Sequence, residues 1–198
     1  MLIAFEGIDG SGKSTQAKML GEVFRREGRE VVLTREPTHG PHGTKIRESF
    51  TTGRLTAEEE LELLVADRRD HVRELIAPAL ARGAVVIIDR YYYSTVAYQG
   101  ARGLDPKAVL ELNRSFAPKP DVVFLVDLDP RVALERISAR AGGRDLVENL
   151  EEQLRVRAAF LELSKTEPHF IVIDGTLSVD AMHAEILRKG DRPLFRSS

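Results

Sequence analysis

The 198-residue chain is predicted to fold as an α/β domain, with a five-stranded parallel sheet covered by helices on both faces. Short apolar runs rich in β-branched residues alternate with helical patterns, and a glycine-rich loop joins the first run to the first helix. Strands this apolar are typical of parallel sheets buried on both faces, and their alternation with helices predicts a doubly wound topology. The candidate strands are residues 2–6, 31–35, 84–89, 122–127 and 170–174.

Capping signals mark where several of the intervening helices begin. Thr56 and Glu59 have the spacing of a capping box, which satisfies two backbone N–H groups of the first helical turn. Asp105 and Asp129 each precede a proline, a pairing that is typical of helix starts. No repeat or linker divides the chain, so we expect a single domain over its whole length, with a polar tail at residues 190–198 that is a candidate for disorder.

The composition argues against several classes of protein. With 29 basic and 31 acidic side chains the net charge is -2, which gives no general attraction to nucleic acid or to anionic membranes. The absence of cysteine excludes disulfides, thiolate metal sites and a cysteine nucleophile. The apolar N-terminus ends at Glu6, too soon for a signal peptide, and no later apolar run has membrane-spanning length. We therefore expect a cytoplasmic protein with no nucleic-acid or membrane partner.

The first loop carries the complete pattern G-x-x-x-x-G-K-S of a nucleotide-phosphate loop. Its glycines let backbone N–H groups point inward, and the positive end of the following helix adds to the attraction for phosphate. Lys13 is expected to reach the β- and γ-phosphates of ATP. Ser14 is expected to hold Mg²⁺ through its hydroxyl, since this cation prefers oxygen ligands. The predicted ATP-binding residues are Gly7, Ile8, Asp9, Gly10, Ser11, Gly12, Lys13, Ser14 and Thr15.

Charged residues at two strand ends predict a second anionic substrate. Asp89 and Arg90 follow the third candidate strand, and Arg35 ends the second. In a doubly wound sheet such strand ends converge on the ligand site. The Asp89 carboxylate can help to hold Mg²⁺, and each arginine can clamp a phosphate through its planar fork of donors. This arrangement favours phosphoryl transfer between two nucleotides over a strand-end ion pair with no catalytic role.

The predicted helix over residues 56–81 places an arginine on its apolar face. Apolar residues recur there at spacings of three and four, namely Leu61, Leu64, Val65, Val72, Leu75, Ile76 and Ala79. Arg68 lies within this stripe, and a guanidinium is rarely buried without partners. Either it reaches into a polar cleft to bind a base or phosphate, or it forms an internal ion pair with Asp89 or Glu36. Arg69, at the edge of the stripe, is expected to face solvent.

Together these motifs resemble the thymidylate kinase family, whose members transfer a phosphoryl group from ATP to dTMP. The resemblance covers nearly the whole chain and rests on FEGIDGSGKSTQ from residue 5, TREP from residue 34, ADR from residue 66, DRY from residue 89 and STVAYQG from residue 94. It implies a P-loop kinase fold with a small lid, and a reaction of Mg²⁺-ATP with dTMP that gives dTDP and ADP for dTTP synthesis. It also implies a homodimer.

The resemblance assigns roles to particular residues. Asp9 would lie near the sugar and phosphate of the acceptor, and Arg90 near the transferred phosphoryl group. Arg68 would contact the pyrimidine base, and Tyr98 would crowd the 2′ position of the sugar and so favour deoxyribose. The predicted catalytic residues in these motifs are Asp9, Lys13 and Arg90, and the predicted metal-binding residues are Ser14 and Asp89. The predicted acceptor-binding residues are Asp9, Arg35, Glu36, Pro37, Leu64, Arg68, Arg90, Thr95, Tyr98 and Gln99.

The lid, expected at about residues 136–148, is where the resemblance implies a further catalytic arginine. Some family members carry this arginine inside the phosphate loop, where this chain has Gly10. The lid itself contains Arg136, Arg140 and Arg144. We expect Arg140 or Arg144 to close over ATP, the alternative being that these arginines face solvent at helical spacing.

Two departures from the family pattern leave other functions open. The family commonly stacks a phenylalanine on thymine where this chain has Leu64, an aromatic contact worth about 0.5–1.5 kcal/mol beyond burial. The loop after Pro37 also differs, with His39 and His42 either contacting the acceptor or simply solvated. A nucleoside monophosphate kinase for dUMP, dCMP or dGMP is therefore the alternative. A nucleotide-dependent switch without transfer is a third interpretation, although the guanine motif Asn-Lys-x-Asp is missing.

Overall fold

A computed structural model describes residues 1–141 and 150–195, with side chains over 1–139 and 150–190. Its five strands form one sheet in the order β2-β3-β1-β4-β5. The strands are β1 (Leu2–Glu6), β2 (Val31–Arg35), β3 (Val85–Asp89), β4 (Val122–Asp127) and β5 (Phe170–Asp174). All four neighbouring pairs are parallel, which confirms the predicted sheet. Strand β3 begins one residue later than predicted because the Ala84 N–H bonds to the Ala79 carbonyl and closes the preceding helix.

Helices connect consecutive strands and cover both faces of the sheet. They are α1 (Lys13–Arg26), α2 (Pro41–Thr52), α3 (Ala57–His71), α4 (Ala77–Ala81), α5 (Tyr92–Ala101), α6 (Pro106–Arg114), α7 (Pro130–Ala141), α8 (Leu150–Thr166) and α9 (Val179–Phe195). The capping box is present, since the Thr56 hydroxyl accepts from the Glu59 N–H and the Glu59 carboxylate accepts from the Thr56 N–H. None of the helices in the described ranges is both long and apolar enough to cross a membrane.

The core has two layers, one on each face of the sheet. Val86 and Ile88 belong to one layer, and Val85 and Ile87 to the other, because successive side chains of a strand point to opposite faces. All four are fully buried, as expected for a strand near the middle of a doubly wound sheet. The sheet is therefore packed on both faces where it supports the loops at its carboxyl edge.

Two helical segments differ from the sequence expectation. A π-helical turn, Val72–Ile76, joins α3 to α4 and interrupts the expected single α-helix. Within and after this turn Ile76 and Ala79 are fully buried, whereas Leu64, in α3, is only half-buried because it lines an open cavity. Helix α9 continues to Phe195, so the backbone is helical over most of the segment where the sequence suggested a disordered tail. Extending a formed helix adds one backbone hydrogen bond per residue, which favours this continuation.

Candidate active site

The glycine-rich loop lies between β1 and α1, with Lys13, Ser14 and Thr15 in the first turn of α1. Gly10 has φ 79° and Gly12 has φ 100°, both in the left-handed region that favours glycine. A Cβ at Gly10 would lie 2.7 Å from the Ala133 carbonyl oxygen of α7. Because α7 packs so closely on the loop, an arginine at this position would displace the helix. The structure thus gives a steric reason for glycine where some family members carry arginine.

Lys13 is held inside the loop by two oxygen acceptors. Its Nζ donates to the Ile8 carbonyl at 3.2 Å and lies 3.4 Å from Asp9 Oδ1. The side chain is almost completely buried, and this burial lowers the pKa of Lys13 to about 8. Asp9 is exposed, and the nearby charge of Arg90, followed by that of Lys13, keeps the pKa of its carboxyl well below the usual range. Asp9 is therefore ionised at neutral pH and bridges two cations.

Ser14 and Asp89 meet where the start of α1 approaches the end of β3. The Ser14 hydroxyl donates to Asp89 Oδ2, while Asp89 Oδ1 is buried and has no hydrogen-bond partner in the described ranges. A carboxylate oxygen in this state is suited to accept from a metal-bound water or to bind a cation. Within the described part of the chain, no group of three His, Cys, Asp or Glu side chains forms a metal cage. The pair fits Mg²⁺, which typically takes only one or two protein ligands and shares the rest between water and phosphates.

Arg90 stands between the phosphate loop and α5 in a strained backbone conformation. Its φ of 68° is uncommon for a residue with a side chain, and such strain is concentrated at functional sites. Its Nη2 donates to Asp9 Oδ1 at 2.8 Å and to the Tyr98 hydroxyl at 3.1 Å, and its Nη1 donates to Ser94 Oγ at 3.0 Å. The guanidinium also lies over the Tyr98 ring, 5.0 Å from its centroid. Arg90 is therefore fixed from three sides.

Glu6, which the sequence reasoning did not include in the site, holds the residues around Arg90. Its carboxylate accepts from the Tyr91 N–H at 2.9 Å and from both the N–H and the hydroxyl of Ser94, at 3.2 and 2.5 Å. Burial raises the pKa of Glu6 to about 7, although these hydrogen bonds and Arg90 oppose the rise. The sequence signal that could have identified Glu6 is a charged residue at the end of an apolar strand. Through Ser94, Glu6 supports the position of Arg90.

A cavity of about 230 Å³ opens beside Arg90 at the carboxyl edge of the sheet. The structure brings all the predicted acceptor-binding residues into its wall, namely Asp9, Arg35, Glu36, Pro37, Leu64, Arg68, Arg90, Thr95, Tyr98 and Gln99. Sequence reasoning missed the remaining lining residues, Ile46, Arg47, Phe50, Glu60, Tyr91 and Ser94. Phe50 is 60% exposed and gives the cavity an apolar, aromatic wall in addition to the side chain of Leu64.

Arg68 forms the internal ion pair with Glu36 and also lines the cavity. Its Nε and Nη2 donate to Glu36 Oε2 at 2.8 and 2.6 Å, and Nη1 donates to Asn113 Oδ1 at 2.5 Å. The other oxygen of Glu36 accepts from His71 Nδ1 at 2.9 Å. Both charged partners are buried, and Asp89, the other candidate partner, takes no part. The internal ion pair with Glu36 is thus present, while contact of Arg68 with a base stays a prediction, which its place in the cavity wall leaves open.

The loop that follows Pro37 is organised by Asp67. The Asp67 carboxylate accepts from the N–H and hydroxyl of Thr38 at 2.7 and 2.6 Å, and from the Gly43 N–H at 3.1 Å. His42 instead lies 3.7 Å from Asp70, and neither His42 nor His39 is among the residues that line the cavity. Both loop histidines therefore lie outside the described wall of the cavity.

Only part of the predicted lid is described. Arg136 donates through Nη1 to the Gly175 carbonyl at 2.9 Å, which ties α7 to the loop after β5. The backbone of Arg140 is in α7, but its side chain lies outside the described residues, as does the whole of Arg144. The assignment of a catalytic arginine to either residue stays a prediction.

Comparisons with known proteins agree with this geometry. The sequence model of the thymidylate kinase family matches residues 5–186. The chain is 50% identical over 182 residues to a thymidylate kinase of Xanthomonas oryzae pv. oryzae, a match that covers 92% of this chain and 79% of that protein. It is 48% identical over 187 residues to one of Xylella fastidiosa, covering 94% and 85% of the two chains. A crystal structure of thymidylate kinase from Ehrlichia chaffeensis superimposes with a TM-score of 0.79 at 33% identity, covering 96% and 98%.

Proposed function

The chain belongs to the thymidylate kinase family and phosphorylates dTMP with ATP, and we propose that it does so with Mg²⁺ at Ser14 and Asp89 and with Lys13 and Arg90 at the reacting phosphates. One observation carries this assignment of roles. The phosphate loop and the acceptor cavity meet at Asp9, whose carboxylate contacts both cations. The comparisons do not favour another acceptor base.

The transfer forms a bond between an oxygen of the dTMP phosphate and the γ-phosphorus of ATP, and breaks the bond from that phosphorus to the oxygen bridging the β- and γ-phosphates. ADP is the leaving group. The attacking phosphate is already mostly dianionic at neutral pH, so the site needs no general base. Positioning and charge then supply nearly all of the catalysis. In this scheme Asp9 is the anion that keeps Lys13 and Arg90 in place.

The two nucleotides occupy different sides of this charge cluster. The loop N–H groups and Lys13 bind the triphosphate, and Arg35 and Arg90 bind the acceptor phosphate at the mouth of the cavity. Ser14 and Asp89 would hold Mg²⁺, which would supply positive charge to the phosphates of ATP. The base would lie in the cavity against the apolar side chain of Leu64 and the polar groups of α3 and α5.

The acceptor dependence of ADP release tests the proposal. With saturating Mg²⁺-ATP, we expect dTMP to accelerate ADP formation by at least about 10²-fold over the rate without acceptor, because a bound acceptor phosphate is oriented for attack whereas water in the open cavity is not. Slow ADP formation that is indifferent to dTMP would instead indicate a nucleotide-dependent switch.

Replacing Asp89 with asparagine tests the metal assignment. We expect the Mg²⁺ concentration that gives half-maximal activity to rise about 10- to 100-fold, because an amide offers a weaker ligand oxygen than a carboxylate. The measurement is a Mg²⁺ titration at saturating ATP and dTMP. Asp180→Asn, at an exposed position of α9, is the matched control. An unchanged Mg²⁺ requirement in Asp89→Asn would remove this residue from the metal site.

The buried position of Lys13 predicts a pH dependence. Its pKa is lowered to about 8, so in the free enzyme the ammonium group loses its proton as the pH rises through that value. We expect kcat/KM for ATP to be level below this pH and to fall about tenfold per pH unit above it, since this parameter reports the free enzyme. Bound phosphates favour the charged amine, so kcat should persist to higher pH. A kcat/KM profile that stays level up to about pH 10, the ordinary lysine range, would contradict this role.

The lid arginines are tested by single alanine variants. We expect Arg140→Ala or Arg144→Ala to lower kcat by about tenfold or more, because an arginine that closes over ATP compensates charge that develops on the transferred group. Single-turnover measurements separate this effect from product release. Full turnover in Arg144→Ala would remove that residue from the role, and full turnover in both variants would contradict the requirement for either lid arginine.

Homodimeric assembly and a cytoplasmic location are further proposals. The family resemblance supports the dimer, and the sequence composition supports the compartment. Light scattering coupled to size-exclusion chromatography tests the assembly, because a dimer has twice the chain mass of 22.1 kDa. A mass of one chain at micromolar concentration would contradict it.

A further inference from the structure

The Glu60 carboxylate, in the wall of the cavity, holds one side chain with each of its oxygens. Oε1 accepts from Gln99 Nε2 at 3.0 Å, and Oε2 accepts from Arg102 Nη1 at 2.6 Å. Arg102 in turn donates through Nη2 to the Leu55 carbonyl at 2.5 Å. Glu60 is 7% exposed and Gln99 is completely buried, so water competes little for these contacts. The three side chains therefore form a fixed unit, the Glu60 cluster, between α3 and α5.

The Glu60 cluster determines which end of the Gln99 amide is available. A carboxylate only accepts hydrogen bonds, so the amide must present its nitrogen to Glu60. Its oxygen, Oε1, is then on the other side of the amide group, and it is buried without a partner in the described ranges. A buried acceptor in this state costs free energy until a donor reaches it. Because Gln99 lines the cavity, a ligand can supply that donor.

Thr95 supplies the complementary group one helical turn earlier. Thr95 and Gln99 are four residues apart on α5, so they lie on the same face of the helix. The Thr95 hydroxyl oxygen accepts from Arg68 Nη2 at 3.0 Å, which leaves its hydrogen to be donated elsewhere. The cavity wall thus combines an acceptor, Gln99 Oε1, with a donor, the Thr95 hydroxyl. An adjacent ring N–H and carbonyl, as in thymine or uracil, match this pattern.

Resting on the proposed function, we propose that Glu60 is a positioning residue that selects the acceptor base through Gln99. By fixing the amide oxygen toward the ligand, it favours pyrimidines that carry a hydrogen on N3. Cytosine has a lone pair at that position and would face a second acceptor. A site built to bond a substrate N–H can reject an analogue that lacks it by orders of magnitude, because its polar groups are then left unpaired.

The variant Glu60→Gln tests this inference. The new amide can donate as well as accept, so the Gln99 amide is no longer held in one orientation. We expect the ratio of kcat/KM for dTMP to that for dCMP to fall by about tenfold or more, with KM for ATP unchanged. Where dCMP turnover is too slow to measure, its inhibition constant against dTMP replaces kcat/KM. Glu62→Gln, at an exposed position of the same helix, is the matched control and should keep the wild-type ratio.

The outcomes separate positioning from structural support. If Glu60→Gln lowers kcat/KM for dTMP and for dCMP by the same factor, or changes neither, the ratio is unchanged. Glu60 then does not select the base and the inference is overturned. If this variant does not fold, Gln99→Met decides, because it removes the amide oxygen that Glu60 holds toward the ligand and should lower the same ratio; an unchanged ratio in Gln99→Met would overturn the inference as well. Phosphorylation of dTMP by the wild-type enzyme is measured before either variant. Its absence would refute the proposed function itself.

Discussion

Replacing Arg90 with methionine is expected to lower kcat by about 10³-fold or more, in the range seen when phosphoryl-transfer enzymes lose an arginine that contacts the transferred group. The guanidinium lies between Asp9 of the phosphate loop and the cavity wall, fixed by Ser94 and Tyr98. Methionine keeps much of the length of the side chain but not its charge. Negative charge in the transition state would then have no fixed donor on the acceptor side.

Steady-state kinetics with Mg²⁺-ATP and dTMP measure this effect. Both arginine and methionine carry a Cβ, so the backbone strain at φ 68° is the same in the two proteins. We therefore expect the melting temperature of Arg90→Met to stay near the wild-type value while kcat falls. Arg82→Met is the control, since Arg82 forms an exposed pair with Glu30. Turnover of Arg90→Met near the wild-type value would show that Arg90 is a structural residue only.

Replacing Arg68 with methionine is expected to lower the free energy of unfolding by about 3–5 kcal/mol, because it leaves the Glu36 carboxylate buried without its cation. Arg68 is 1% and Glu36 is 3% exposed, so water cannot replace the lost partner. The loss also leaves Asn113 Oδ1 without the Arg68 donor. Urea unfolding monitored by circular dichroism gives the difference from the midpoint, provided that the slope is unchanged.

A second variant separates the ion pair from simple packing. In the double variant Arg68→Met/Glu36→Gln, no buried charge is left without a partner. We expect this variant to recover at least about 1–2 kcal/mol of the free energy of unfolding that Arg68→Met loses, since neutral replacements of buried pairs are often tolerated. Arg82→Met, in an exposed pair, should change stability by less than about 1 kcal/mol. A loss for Arg68→Met as small as that of this control would contradict the stabilising role of the pair.

The sheet and the phosphate loop could be predicted because their signals are local. Each strand is an apolar run of five or six residues, and four of the five have the predicted bounds. The glycine-rich pattern identifies the loop in a single short segment. Its position after β1, together with the rule that ligands bind at the carboxyl edge of the sheet, is sufficient to bring Arg35 and Arg90 to one site.

The supporting contacts could not be predicted because they join distant segments. Glu6 and Ser94 are 88 residues apart, and Glu60 and Gln99 are 39 apart, so nothing in either local sequence indicates its partner. Sequence reasoning also left open whether Glu36 or Asp89 would pair with Arg68. Packing decides between them, since Glu36 comes directly after β2 beside α3, whereas Asp89 is taken by Ser14.

Comparing kcat/KM with Mg²⁺-ATP for dTMP, dUMP, dCMP, dGMP and UMP tests the central claim most directly. Membership of the thymidylate kinase family predicts that dTMP leads. The Glu60 cluster predicts that dCMP is strongly disfavoured, and Tyr98 in the cavity wall predicts that UMP is rejected because of its 2′-hydroxyl. A different monophosphate in the leading position would contradict the assignment of this cavity to thymidylate. A panel in which no monophosphate accelerates ADP release would contradict phosphoryl transfer at this site.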